Sequence, residues 1–179
     1  DDQNEIGELK RVVNSLIQNI DEYLGDNILI AATNHHEILD KAIWRRFSNS
    51  IYLGKPDNNL RLELLTQFLK KSPIDFRNEI KKMDVILSLT SDFSPADLEM
   101  ISNNSIKNSV IHGKNEITYA DIIFQLLLFK KGSDTSAKDA VNFMISSGVT
   151  KDSTRNLLGL SVRQFQKILS ESTSLAEEI

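Results

Sequence analysis

The chain has 179 residues, of which 40% are hydrophobic and 26% charged, and its net charge is −4. That length holds one or two domains with a real core, and the acidic balance excludes a global basic field of the kind that draws proteins to nucleic acid. Cysteine is absent, which excludes a disulfide framework and a thiolate metal site; no apolar run approaches the ~20 residues of a membrane span, so a cytoplasmic protein without a membrane partner is expected.

Asp1 to Gly7 is acidic and lacks apolar periodicity, and it reads as a loop. From Glu8 onward, Leu9, Val12, Val13, Leu16, Ile17, Ile20 and Leu24 fall on one helical face. Gly25 then suits a left-handed cap. The run Ile28-Leu29-Ile30-Ala31-Ala32 is apolar and rich in β-branched residues, as in a strand buried in a parallel sheet. Asn34 sits just past its carboxyl end, where such sheets place their chemistry. A short helix closes on Arg45-Arg46-Phe47, and a second extended run spans Ser50 to Leu53. Two adjacent arginines repel unless an anion lies close, and a phosphate is the natural partner. Trp44 is expected to pack on the sheet. His35 and His36 point about 100° apart on a helical turn and have no third ligand nearby, so no metal site is expected.

Beyond Pro56 the pattern turns helical. Asp57 can cap a helix carrying Leu60, Leu64, Leu65, Phe68 and Leu69, which stops before Pro73. A second helix covers about Asn78 to Leu89, with Ile80, Met83, Ile86 and Leu87 inward. Ser94 as cap and Pro95 at the first helical position open a third, whose freed backbone N–H groups make an anion-friendly end. Thr118, with Asp121 three residues on, opens a fourth, bearing Ile122, Ile123, Leu126, Leu127 and Phe129.

Residues 131–136 contain Gly132 and Ser133 and read as a linker. Three short helices follow in 137–179: about Ala137 to Ser146, then Thr150 to Leu158, then a helix opened by the pair Ser161 and Gln164. The spacing is that of a helix-turn-helix, and the segment resembles such units in transposases and resolvases. On the third helix, Arg163, Gln164, Gln166 and Lys167 are candidates to reach DNA bases or phosphates. The bases and acids of this tail balance, whereas DNA binders carry a basic stripe, so protein docking stands beside DNA as its role.

The order Thr33-Asn34, Leu39-Asp40-x-Ala42-Ile43-x-Arg45-Arg46-Phe47 and Pro56-Asp57 resembles the second half of an AAA+ ATPase module, with the Arg-Arg-Phe ending of katanin- and spastin-like remodelling ATPases. The resemblance runs from about Glu8 to Leu128. It implies that Asn34 is sensor 1, orienting water near the γ-phosphate, and that Arg45 and Arg46 are arginine fingers reaching a neighbour's nucleotide. Phe93-Ser94-Pro95-Ala96-Asp97-Leu98 matches the segment that opens the lid beside the nucleotide's sugar, with Pro95 in place of the family's glycine. Ser94, Pro95 and Ala96 are therefore nucleotide-binding candidates, and the proline removes one backbone donor.

The expected fold is mostly α with a small α/β part. Residues 1–56 end a P-loop sheet domain, 57–130 form the helical lid, and 137–179 form the helix-turn-helix-like tail. No Gly-x-x-x-x-Gly-Lys-Ser/Thr loop occurs, and no apolar strand ending in Asp-Glu precedes the first helix. The chain alone is thus expected not to hydrolyse ATP and to be the C-terminal part of a longer ATPase. ATP and Mg²⁺ would act in the full-length protein, a homo-oligomeric ring that remodels a protein or nucleoprotein substrate. The strands at 28–32 and 50–53 would lack the strand between them and mispair, swap with a second copy or be left poorly ordered. The rival is a non-enzymatic DNA- or protein-binding adaptor.

Overall fold

A computed structural model describes residues 2–23, 27–35, 37 and 40–174, with side chains described from residue 11 to residue 171 of these. The chain divides into two compact units, Asp1–Leu53 and Gly54–Ile179.

The first unit contains α1 (Asp2–Tyr23) and α2 (Lys41–Trp44). Helix α1 starts seven residues or so ahead of the periodic stretch, which corrects the expected loop at the N-terminus. The expected cap at Gly25 lies outside the described residues. Asp40 caps α2, its Oδ1 accepting from the Ala42 amide at 2.8 Å.

Neither expected strand of this unit forms a ladder. Ile28, Ile30, Ile51, Tyr52 and Leu53 are 84–89% exposed, and Trp44 has no sheet to lie on. A parallel strand takes all its hydrogen bonds from neighbours, and among the described residues no neighbouring strand exists. The α/β part of the expected fold is therefore not seen in these residues.

The second unit is helical: α3 (Asn58–Phe68), α4 (Ile80–Leu89), α5 (Pro95–Ile111), α6 (Tyr119–Lys131), α7 (Ala137–Ser146), α8 (Lys151–Leu157) and α9 (Val162–Ser174). The caps fall where side-chain chemistry allows them. Asp57 accepts from the Leu60 amide at 2.8 Å, and Ser94 with Asp97, and Thr118 with Asp121, form reciprocal capping boxes. Gly148 ends the α7 region at φ +81°, a left-handed turn that costs other residues strain. Ile80, expected inward, opens α4 and is 75% exposed.

The core is centred on α6. Ile122, Ile123, Leu126 and Leu127 are each no more than 1% exposed, so its apolar surface runs nearly all round, as in a helix buried on several sides. Helix α6 packs on α4 and α5 of the lid and on α7 and α8 of the tail. Ala140, Met144 and Val149 thereby join Leu65, Phe93, Leu98 and Ile101 in one cluster. The Tyr119 hydroxyl donates to Ser147 O at 2.5 Å. This revises the expectation that the tail stands apart: α6 carries more apolar surface than the lid alone can cover, and the tail covers the remainder.

Candidate functional site

In the first unit the residues of interest flank α2. Asn34 follows the extended run and is exposed. The preceding Thr33 turns its hydroxyl to accept from the His35 amide at 3.0 Å; His36 lies outside the described residues. Arg45 is the C-cap of α2 and is exposed. Arg46, next to it, is half-buried. Its Nε and Nη2 donate to the two carboxylate oxygens of Asp21 on α1 at 2.7 and 2.8 Å, and its Nη1 donates to Ala42 O at 2.8 Å. The same bonds hold the Asp21 carboxyl below its ordinary value and raise Arg46. The anion that quiets the arginine pair is therefore a carboxylate of this chain, and only Arg45 projects into solvent.

Asp21 was not visible in the sequence reading. It sits on the polar side of an amphipathic helix, and nothing local marks a partner 25 residues away.

In the second unit, Phe93 is buried against Phe129 of α6, ring centroids 4.6 Å apart, with Lys130 Nζ 5.1 Å from the Phe93 ring. This fixes where α5 begins. Ser94 is half-buried; Pro95 and Ala96 are exposed. The Ser94 hydroxyl and amide are both engaged with Asp97 Oδ2, at 2.7 and 2.8 Å, and Ser94 Oγ accepts from the Asp97 amide at 3.2 Å. Leu98 N donates to Ser94 O, and Pro95 has no N–H. Among the described residues this leaves the Ala96 amide as the open donor of the turn.

The Asp97 carboxylate already answers the positive end of the helix dipole. The anion-friendly end expected from the sequence is thus occupied by the protein's own acid. A neutral acceptor, such as a sugar hydroxyl or a base edge, suits the Ala96 amide better than a phosphate.

On α9, Arg163, Gln164, Gln166 and Lys167 are all exposed. Gln164 is committed as a cap: its Oε1 accepts from the Ser161 amide at 3.0 Å and from its hydroxyl at 2.7 Å. Lys167 pairs loosely with Glu171 at 3.9 Å. Among the described residues no group of three or more His, Cys, Asp or Glu is placed to hold a metal ion, and no helix is long and apolar enough to cross a membrane.

Residues 1–55 match the family described as "ATPase family associated with various cellular activities (AAA)", and the chain belongs to that family as a fragment of its ATPase module. An uncharacterised AAA family ATPase of Sinorhizobium fredii is 33% identical over 124 residues, 68% of this chain and 35% of that protein. The ATP-dependent zinc metalloprotease FtsH of Staphylococcus haemolyticus is 37% identical over 120 residues, 64% of this chain and 16% of that protein. The proteasome-activating nucleotidase of Saccharolobus solfataricus is 31% identical over 120 residues, 65% of this chain and 30% of that protein. The chain thus spans only 16–35% of the length of these relatives.

AAA ATPases as a family use ATP with Mg²⁺. The residues present here do not form a full site for that pair. The sequence holds no Gly-x-x-x-x-Gly-Lys-Ser/Thr phosphate loop and no apolar strand ending in Asp-Glu ahead of α1.

Proposed function

We propose that this chain is the C-terminal portion of an AAA+ ATPase that couples ATP hydrolysis at ring subunit interfaces to remodelling of a protein substrate. The observation that carries the reading is Arg45: it is held at the end of α2, exposed, while its neighbour Arg46 is tied to Asp21. A guanidinium fixed at its base and open at its tip is what a trans-acting finger requires, since it stabilises charge developing on another subunit's phosphate. Asn34 takes the water-orienting role, and Arg46 braces Arg45. The phosphate loop and the Mg²⁺ carboxylates are supplied from outside these 179 residues. Two relatives carry names that tie them to proteolysis, a metalloprotease and a proteasome activator, which favours a protein over a nucleoprotein substrate. A cytoplasmic homo-oligomeric ring fits this reading.

The test is mixed rings of the full-length protein. Arg45→Ala subunits are expected to lower turnover at each interface they join by about a thousandfold, in line with arginine fingers elsewhere. Arg46→Ala should act more weakly and through the α1–α2 contact. Normal turnover beside Arg45→Ala subunits would remove Arg45 from the role.

A second reading, a DNA- or protein-binding adaptor, draws on Arg163, Gln166 and Lys167, which α9 presents to solvent. Salt-dependent binding of duplex DNA by the chain, lost on Arg163→Ala, supports its DNA form. The engagement of Gln164 as a cap and the even charge of the tail weigh against it.

A further inference from the structure

The lid buries one cation where helix electrostatics disfavour it. Arg61 lies near the start of α3, at the positive end of that helix, yet it is 4% exposed. Arginine is almost never buried to this degree unless its charge is matched. Among the described residues no carboxylate pairs with it. Its guanidinium is instead shared among oxygens from separate parts of the chain. Nη1 donates to Pro56 O at 2.7 Å and, at the long limit, to Ser91 O at 3.5 Å. Nη2 donates to Leu87 O at 3.3 Å and to Asn58 Oδ1. Nε is buried without a partner.

Each acceptor has a place in the fold. Pro56 is buried and is the third residue of the unit that begins at Gly54. Leu87 O belongs to the last turn of α4, where carbonyls are left open and the helix dipole is negative, a setting that suits a cation. Ser91 precedes Asp92-Phe93-Ser94, the loop that delivers α5. The far side of that loop is held by Phe93 on Phe129 and by Lys130, which pairs with Asp92 at 3.4 Å.

We propose that Arg61 is a positioning residue that locks the chain entering the helical unit to the loop ending at Ser94. Residues 56–58 and 91–94 then move as one piece, and slack at the start of the unit is confined to Gly54-Lys55. The planar fork is needed for this. It reaches carbonyls in different directions at once, whereas a lysine ammonium on a flexible stem holds no such fixed geometry. Where the Ser94 loop is the lid side of a nucleotide site, a step that rests on the function proposed above, Arg61 sets how firmly the Ala96 amide is presented without touching nucleotide itself.

Hydrogen exchange on this chain tests the lock without nucleotide. In Arg61→Lys, amides of 57–60 and 91–94 are expected to exchange faster together, by about tenfold for the loss of one or two charged hydrogen bonds. Residues 122–127 of α6 should stay protected. Unchanged exchange in either segment, or an equal rise in α6, overturns the proposal.

A second arm uses the full-length protein. Arg61→Lys is expected to raise KM for ATP about fivefold while kcat changes less than about twofold. Lys114→Met, which loosens the same unit elsewhere, should leave KM unchanged. A KM equal to that of the wild type in Arg61→Lys overturns the positioning role. If the full-length wild type shows no ATP turnover at all, the proposed function fails and the exchange experiment alone decides Arg61.

Discussion

Ile28, Ile30 and Ile51 in the first unit are 84–88% exposed, whereas Ile122 and Ile123 in the second are 1% or less. The residue type is the same and the sequence pattern is apolar in both places. The difference lies in what the chain provides to cover them. Helix α6 finds α4, α5, α7 and α8 around it within the same 126-residue stretch. The extended runs of 28–32 and 50–53 need strands beside them, and a strand without a neighbour gains neither hydrogen bonds nor burial. Apolar patterning marks where burial is needed; it does not supply the partner.

The largest expected effect tests that contrast directly. Leu126→Ala should cost about 3 kcal/mol, the range for emptying a packed core site. Leu53→Ala, at 89% exposure, should stay within about 0.5 kcal/mol, as surface changes do. Urea unfolding followed by helical circular dichroism reads both. Similar costs would mean that the extended runs are covered in solution, and the comparison would break.

A smaller effect lies within the second unit, at a carboxylate that is fully buried. Burial pushes the Asp121 carboxyl up, but bonds from Lys114 Nζ at 2.5 Å and from the Thr118 hydroxyl and amide at 2.7 and 3.0 Å outweigh it and hold it below its ordinary 3.8. The folded chain then takes up this proton less readily than the unfolded chain. The stabilisation is complete above the unfolded value and drains as pH falls through the lower folded one. Lys114→Met should cost about 2 kcal/mol at neutral pH and flatten the acid limb of a stability-against-pH curve. The first unit has an ion pair too, Arg46 with Asp21, but it is only partly shielded, with side-chain exposures of 28% and 50%, and its removal should leave the melting of the second unit unmoved.

The smallest expected effect sharpens the junction between lid and tail. Burial raises the Tyr119 phenol from 10.0 to about 12. The folded state thus keeps the proton that the unfolded chain gives up first, so stability is full below pH 10 and is lost as pH rises toward 12. Tyr119→Phe removes the bond to Ser147 O and should cost about 1 kcal/mol at neutral pH, while abolishing this alkaline loss. An unchanged alkaline limb would mean that the tail leaves Tyr119 open to solvent.

Local chemistry was legible in the sequence. Ser94-Pro95, Thr118 with Asp121, and Ser161 with Gln164 announce helix starts because a side-chain oxygen three residues from an orphan amide acts over a few ångströms, whatever the rest of the fold does. The turn at Gly148 is legible for the same reason. Of the candidate site, Asn34, Arg45 and the Ser94 segment are singled out as candidates by the order of their motifs. The roles of their neighbours were not, because each depends on a partner far away in the chain. Arg46 looked like the twin of Arg45 until Asp21 proved to hold it. The Ser94 turn looked open to anions, but Asp97 closes it. The signal at Arg61 is subtler, a cation in the first turns of a helix, against the dipole.

The sequence by itself determined the helical segments of 57–174, their caps and the membership of residues 1–55 in the AAA family, since all three rest on short-range patterns. Tertiary structure alone decided that lid and tail share one core, that one arginine of the pair is engaged and the other exposed, and that a buried guanidinium joins Pro56, Leu87 and Ser91. The reason is physical: a cap is completed within a turn of chain, whereas burial and ion pairing are settled by whichever surfaces the folded chain brings together.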